Sequence, residues 1–550
     1  MTHRKVTSAK ALWPYGVIAA LLACQLAVSL AWLDRVRFPF GSFHLTWSYG
    51  YARTLAEEGP GAMLARWAHD DYYPPLDVTV WAVFHRLLGP SRSSIPAATA
   101  LWYLPGLLAM FALAKRAAGG SVAGLFTCAL TLVAPHIAFY FRVPSYEVSM
   151  AAMEMVVLWG LVASERFYKL GPLLIAAVAF AAGMLMKWTF VASVAGIAVF
   201  ALADAVWFGL KRRKIDIGPF FIGRQIFNAA AFAVLAVALA APWYLFVLSW
   251  PKIASNWPTD PTAGGLFTQA FWYLAALYEK ILSPPLTVAF AACVPLMFLG
   301  KSKRVPAALL ASFLGTYAVL SIIPHKELRY GTVLVPYCAL VIALGLANLA
   351  ERFGNRAKVF AVAAGIALLS CGAWNDYSMS FERNVLPLES GDLDEPSVSC
   401  ANDLDSVMGD LTKFIDQYKD RRIVRLAVHP LSPMSTSFSG DVIAYYLALL
   451  SAKEKRHIEL IGFGNFQYED FPARLHEADI MLVPEEVWEM KPADVEKSLR
   501  DMAFYVHPGE APPPVPEKDP LFRERITEAF SEVATIPAKC VKPIHVLKRK

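Results

Sequence analysis

The sequence predicts a polytopic α-helical membrane protein of about 11 transmembrane helices, with a C-terminal soluble α/β domain. Three observations carry this. The 550 residues are 56% hydrophobic and 17% charged, whereas soluble chains run at about 45–50% apolar and about 25% charged. The apolar excess is gathered into runs of bilayer length, about 17–25 residues each. Beyond residue 375 the long runs stop, and short strand-length apolar stretches alternate with charged helical ones. This composition excludes a purely soluble enzyme, a disordered regulator and a secreted disulfide scaffold. The net charge, 51 − 45 = +6, also argues against nucleic acid as the main partner, because duplex binding needs a concentrated basic stripe.

The first run, 11–33, follows a basic start with Arg4, Lys5 and Lys10. It is too long for a signal-peptide core and no small-residue cleavage site follows, so it reads as an anchor with its N-terminus in the cytoplasm. Ten more runs fall at 97–115, 121–140, 148–163, 171–187, 189–209, 226–249, 281–300, 306–323, 331–350 and 358–374. The stretch 75–88 is short and holds Asp77, His85 and Arg86, which predicts a re-entrant or surface-lying segment instead of a span. Connections on the N-terminal side then hold Lys115 and Arg116; Arg166 and Lys169; Lys211, Arg212, Arg213 and Lys214; Lys301, Lys303 and Arg304; and Arg352, Arg356 and Lys358. All five are basic, as the positive-inside bias requires. Segments 34–96, 141–147, the turn at 187, 250–280, 324–330 and everything past 375 face the other side. Residues 1–375 thus form a membrane domain, with 34–96 as its first outer loop and juxtamembrane segment.

Residues 376–550 are numerous enough for a core of their own. Strand-like stretches lie at 423–428, 458–462, 480–483 and 544–547, with helix-like segments such as 441–450 and 492–502 between them. A Pro-rich stretch, 508–520, reads as a loop. Five of the seven cysteines (Cys24, Cys128, Cys293, Cys338 and Cys371) lie in or beside spans, where thiols behave as small apolar groups. Cys400 and Cys540 stand alone in the tail; in an oxidising compartment one disulfide could join its two ends, although spacing by itself does not establish it.

Ionisable groups at membrane depth are costly and point to function. Five outer clusters stand out. The loop 34–74 ends in Trp67, His69, Asp70, Asp71, Tyr72, Tyr73, Pro74, Pro75 and Leu76; its charged groups hold a substrate hydroxyl or a metal, or else form a solvated loop with an aromatic belt. Arg142, Tyr146 and Glu147 lead into a span, where Glu147 is either the partner of Arg142 or a general base at the membrane surface. Lys187, after Gly183, sits at the tip of a hairpin of spans and either snorkels to the headgroups or neutralises a lipid phosphate. The turn of His325, Lys326, Glu327, Arg329 and Tyr330 makes a good phosphate site, Arg gripping bidentately and Lys acting as a point charge; the alternative is interfacial anchoring. Loop 250–280 carries Trp250, Lys252, Trp257, Asp260, Tyr278, Glu279 and Lys280, with no diagnostic spacing. There is no Walker loop, no strand-linked GxGxxG, no HExxH and no CxxC pair, which argues against nucleotide chemistry and a thiolate metal site.

In this order the clusters resemble the lipid-dependent membrane glycosyltransferases of the GT-C superfold, and within it the family of protein O-mannosyltransferases and the lipid A aminoarabinose transferase. The matching features are Tyr72 to Leu76, Arg142 to Glu147, Gly183 to Trp188, and Arg329 and Tyr330 with Pro336. The run from His325 to Tyr330 also looks like the motif of dolichol-dependent mannosyltransferases of that superfold. The resemblance covers roughly residues 1–350. It implies that Glu147 takes the place of the acidic residue of the second outer loop. Asp70 and Asp71 lie where the family has charged residues before its apolar Pro segment. Lys187, Lys326 and Arg329 would face the lipid phosphate, with Arg142, His325 and Tyr330 also contacting substrate. One departure is plain: the family has an Asp-Glu pair early in the first outer loop, whereas residues 40–44 here are Phe40, Gly41, Ser42, Phe43 and His44. Either His44, Asp70 or Asp71 substitutes as base, or the chain has lost activity or changed its chemistry.

The function implied is transfer of a sugar from a polyprenyl-phosphate carrier to a hydroxyl of a lipid, glycan or protein acceptor on the extracytoplasmic face. The tail domain, periplasmic in a bacterial inner membrane, would cap the site. Polyprenyl phosphate leaves as a stable anion, so no cofactor is required, though a divalent cation is admitted. The alternatives are a catalytically degenerate lipid-carrier-binding protein and a transporter. A transporter would place charge mid-span and often repeat its halves, and the sequence has no internal repeat.

Overall fold

The computed structural model describes residues 9–35, 42–68, 74–212, 219–247, 266–323, 326–378, 401–418, 423–428, 457–461, 477–484, 526–527, 529–536 and 544–550. The membrane part is helical: α1 (Ala9–Arg35), α2 (Ser42–Glu57), α3 (Pro60–Ala65), α4 (Leu76–Leu88), α5 (Ser94–Ala118), α6 (Ser121–Leu132), α7 (Pro135–Tyr140) and α8 (Tyr146–Ala163). It continues with α9 (Leu170–Met186), α10 (Phe190–Arg212), α11 (Pro219–Val247), α12 (Leu266–Ala276), α13 (Pro284–Leu296), α14 (Arg304–Ile322) and α15 (Val335–Tyr377). Seven helices among the described residues are long and apolar enough to cross a membrane, and three shorter apolar ones lie at Ser121–Leu132, Leu170–Met186 and Pro284–Leu299. Over the described residues the predicted apolar runs fall on helix, except that 121–140 is broken between α6 and α7 and 281–300 is broken just before α13. The last two runs share α15, which is interrupted at Gly354 (φ 77°), a left-handed conformation that glycine adopts at little cost.

Small residues let the helices approach closely, which is how apolar helices pack when burial alone gives little driving force. A Cβ on Gly106 of α5 would come within 2.8 Å of Ala152 on α8, and one on Gly196 of α10 within 3.0 Å of Gly315 on α14. Mid-way along α8, fully buried Glu154 accepts hydrogen bonds from Tyr337 (2.8 Å) and Thr316 (3.2 Å) and ties α8 to α14 and α15. The charged clusters evident in the sequence lie in outer loops, and this mid-helix carboxyl is an exception.

The first outer segment is more ordered than a loop. Its residues form α2, α3 and a 3-10 turn at Arg66–Ala68. The doubtful stretch near 75–88 forms α4, 13 residues or about 20 Å long, too short for a hydrocarbon core of about 30 Å. It packs between α2 and α5, and His85 lies 2.9 Å from the Ser48 hydroxyl and 2.6 Å from that of Ser94. Burial pushes the His85 pKa down to about 3, so it is a neutral structural link between the three helices.

In the tail, α16 (Ala401–Ile415) precedes a five-stranded mixed sheet of order β2-β1-β3-β5-β4. The strands are β1 (Ile423–Val428), β2 (His457–Ile461), β3 (Ile480–Pro484), β4 (Phe530–Ile536) and β5 (Ile544–Arg549). β1 runs parallel to β2 and β3, with Leu426 opposite Leu460 and Ile480, while β5 is antiparallel to β3 and β4. Four strands coincide with the predicted apolar stretches. Segments 441–450, 492–502 and 508–520, Cys400 and Cys540 lie outside the described residues.

Candidate active site

The site begins at the N-terminus of α8. Ser145 caps the helix, its Oγ accepting from the Glu147 N–H at 3.3 Å and donating to Glu147 Oε2 at 2.7 Å. A carboxylate in a first helical turn is favoured by the helix dipole. Lys187 donates to the other oxygen, Oε1, at 2.7 Å, and both side chains are only 4% exposed. Lys187 reaches this position because it ends α9 in an extended conformation before the chain turns into α10. Gly183 permits the turn: a Cβ there would lie 2.3 Å from the Phe190 ring.

The 3-10 turn Leu328–Leu334 brings Arg329 to the same carboxylate, Nε to Oε1 at 3.8 Å, and to Glu327. The Tyr330 ring lies under both cations, 4.4 Å from Lys187 Nζ and 5.6 Å from Arg329 Cζ. Arg329 is the more accessible of the two, with 30% of its side chain exposed. His44 from α2 completes this wall, its Nδ1 3.3 Å from the Tyr146 hydroxyl. Burial, reinforced by Arg329, pushes its pKa down to about 3. At neutral pH His44 is therefore an uncharged, weakly basic group.

Of the predicted site residues, the structure brings together His44, Glu147, Lys187, Arg329 and Tyr330. Two others point elsewhere. Arg142, expected as partner of Glu147 or as a substrate contact, is instead paired with Asp376 in the last turn of α15, its Nη2 2.7 Å from both carboxylate oxygens, and it lies over the Trp32 ring at 5.6 Å. Lys326, expected at the lipid phosphate, donates to the carbonyls of Leu320, Ser321 and Ile323 at 2.6–2.8 Å. It closes the C-terminus of α14, where unpaired carbonyls and the helix dipole favour a cation. Lys326→Met should accordingly lower stability by about 1 kcal/mol and leave the KM for a lipid-phosphate donor unchanged; a large rise in donor KM in steady-state assays would contradict this placement. Asp70, Asp71 and His325 lie outside the described residues.

A further acidic side chain, which in the sequence only counts against a span, borders this cluster. Asp77, in the first turn of α4, is fully buried, and its polar neighbours Ser149 and Trp102 face it without completing a hydrogen bond of regular geometry. Burial, helped by the nearby charge of Glu147, holds its pKa well above the ordinary carboxylate range, against the opposing influence of Ser149 and Trp102. A buried carboxyl with only weak hydrogen bonds is expensive and is a functional candidate when it borders an ionised cluster. The sequence signal was an aspartate directly after a Pro-Pro-Leu in an apolar run. Among the described residues no three His, Cys, Asp or Glu side chains converge as a metal site.

Comparison with known proteins agrees with this architecture. The family model for dolichyl-phosphate-mannose-protein mannosyltransferases matches residues 73–218, which include Asp77, Glu147 and Lys187. That of the Alg9-like mannosyltransferase family matches residues 268–384, which include Arg329 and Tyr330. The structure of ArnT from Cupriavidus metallidurans in the apo state superposes with a TM-score of 0.60 at 13% identity, covering 97% of this chain and 98% of that one. The undecaprenyl phosphate complex of the same protein gives 0.56 at 14% identity, covering 96% and 98%. No curated protein sequence matches the chain. The chain is an integral membrane protein with the fold of the GT-C membrane glycosyltransferases.

Proposed function

We propose that this protein is a membrane glycosyltransferase that moves a sugar from a polyprenyl-phosphate carrier to an acceptor hydroxyl. The observation carrying this reading is the cluster of Glu147, Lys187, Arg329 and Tyr330 at the ends of the helices: one cation held directly by a buried carboxylate and a second 3.8 Å from it, both over an aromatic ring. Lys187 and Arg329 receive the phosphate of the carrier, Glu147 positioning Lys187 and Glu327 positioning Arg329. The acceptor oxygen bonds to the anomeric carbon as the bond from that carbon to the phosphate oxygen breaks. The electron pair leaves with polyprenyl phosphate, where the fixed cations stabilise the growing charge, and the acceptor proton passes to Asp77. A phosphate anion is a good leaving group, so no acid is needed to protonate it.

The fold likeness to ArnT supports a carrier of this class, since that protein has been seen with undecaprenyl phosphate. The basic connections support an N-terminus in the cytoplasm of a bacterial inner membrane, with the site and the domain after about 375 on the periplasmic side. In that arrangement the tail domain caps the site. A second reading, a lipid-carrier-binding protein without turnover, is favoured by one feature: a neutral, half-buried His44 stands near where the family has its acidic pair. The two separate in a single assay, incubation of radiolabelled polyprenyl-phosphate sugars and candidate acceptors with protein in lipid. Release of polyprenyl phosphate, lost in Glu147→Gln and Arg329→Ala, supports the transferase. Tight binding of the lipid without release selects the second reading, and no binding defeats both.

A further inference from the structure

A second feature lies at the other end of the membrane domain. A groove of about 870 Å³ opens there between α1, α5, α8 and α9. α8 relates the two places: Glu147 is in its first turn, while Val156, Trp159 and Ala163 line the groove. At 1.5 Å per residue Ala163 is about 24 Å from Glu147. The wall is apolar, with Leu108, Val156, Trp159 and Ile175, and cations edge it where α5 ends and α9 begins: Lys115, Arg116 and Lys169.

Glu165 organises that edge. It accepts from Arg116 Nη2 at 3.2 Å and from Lys169 Nζ at 2.7 Å, leaving a formal charge of 3 − 1 = +2 over the four side chains. Arg116 and Lys169 remain 45% and 52% exposed. α9 starts at the same edge with no capping side chain and no acidic residue in its first turn, so its leading N–H groups add to the positive field.

We propose that this groove binds one anionic phospholipid of the bilayer, the phosphate against Lys115, Arg116 and Lys169 and an acyl chain along the apolar wall. The layout of charge favours this occupant. A small soluble anion would leave the apolar wall uncovered, and a zwitterionic lipid would leave the net positive edge uncompensated. Basic pockets between membrane helices hold anionic headgroups by the same physics. The inference goes beyond sugar transfer and does not depend on it.

Native mass spectrometry of the full chain in detergent, titrated with phosphatidylglycerol or phosphatidylcholine, tests it. One phosphatidylglycerol should be retained on the order of tenfold more tightly than phosphatidylcholine. The triple variant Lys115→Gln/Arg116→Gln/Lys169→Gln should remove that preference, and Ala112→Trp, which fills the groove, should lower retention of both lipids. Equal retention of the two lipids by the wild type, an intact preference in the triple variant, or displacement of phosphatidylglycerol by equimolar polyprenyl phosphate would each overturn the proposal. Should the triple variant unfold at a lower temperature than wild type, Lys115→Glu alone must reduce the preference, and its failure to do so is equally decisive.

Discussion

Lys187→Met is expected to lower folding stability by about 3–5 kcal/mol and to abolish sugar transfer, while Lys187→Met combined with Glu147→Leu recovers most of the stability and none of the transfer. The reason lies in the burial of the pair, 4% exposed on both sides with a 2.7 Å contact. Removing one partner leaves the other charge buried and uncompensated, which costs about 3–5 kcal/mol, whereas replacing a whole buried pair by apolar groups is often neutral. Ser145 and Arg329 cannot make up the difference, because Ser145 is neutral and Arg329 stands 3.8 Å away and is already paired with Glu327. The pair is thus a device for holding a cation at the site, and a packed apolar core would serve stability equally well. Denaturant unfolding of wild type, both single variants and the double variant in one detergent gives the coupling directly. A double variant as unstable as Lys187→Met, or one that still transfers sugar, would refute this account of the pair.

The membrane helices were legible because a run of apolar residues needs no partner to declare itself, and the same holds for β1, β2, β3 and β5, whose cores are short apolar stretches. β4 was not legible. Its sequence, Phe530–Ile536, buries only its two ends, so it has neither an apolar run nor a clean alternation; pairing with β5 makes it a strand. α2 was missed for a related reason: Ser42–Glu57 mixes Ser, His, Thr, Arg and Glu with aromatics, and its packing against α4 supplies what its pattern lacks. In the site, residue types were legible and pairings were not. Arg142 and Glu147 are five apart in sequence and invite a pair, yet Arg142 meets Asp376, 234 residues on, and Glu147 meets Lys187, 40 residues on. Charge pairing across a helical bundle is set by where helix ends converge, and a sequence met alone does not contain that information. Lys326 shows the reverse case, where a cation beside a helix end had a local task that the sequence could have disclosed.

Asp77→Asn should reduce transfer by about 10²–10⁴-fold, the usual contribution of a general base, and should also change the pH profile. In the wild type, burial keeps Asp77 largely protonated where an ordinary carboxylate, with a pKa of about 4, is ionised. Only the carboxylate can accept the acceptor proton, so kcat/KM should rise with pH along a limb lying above the ordinary carboxylate range. The asparagine variant should lack that limb. Stability should move the opposite way: the folded state binds the proton more tightly than the unfolded chain, so the contribution of Asp77 is greatest in acid and is lost as pH rises from about 4 through its folded pKa. Asp77→Leu, which removes a buried carboxyl that Ser149 and Trp102 meet without regular hydrogen-bond geometry, should be as stable as wild type or up to about 1–3 kcal/mol more stable, and inactive. A residue whose removal leaves the fold intact or firmer while ending the reaction is held there for chemistry. Near wild-type turnover by Asp77→Asn with the acid limb unchanged would instead assign proton removal to His44, Asp70 or Asp71, and His44→Gln, Asp70→Asn and Asp71→Asn in the same assay would then identify which.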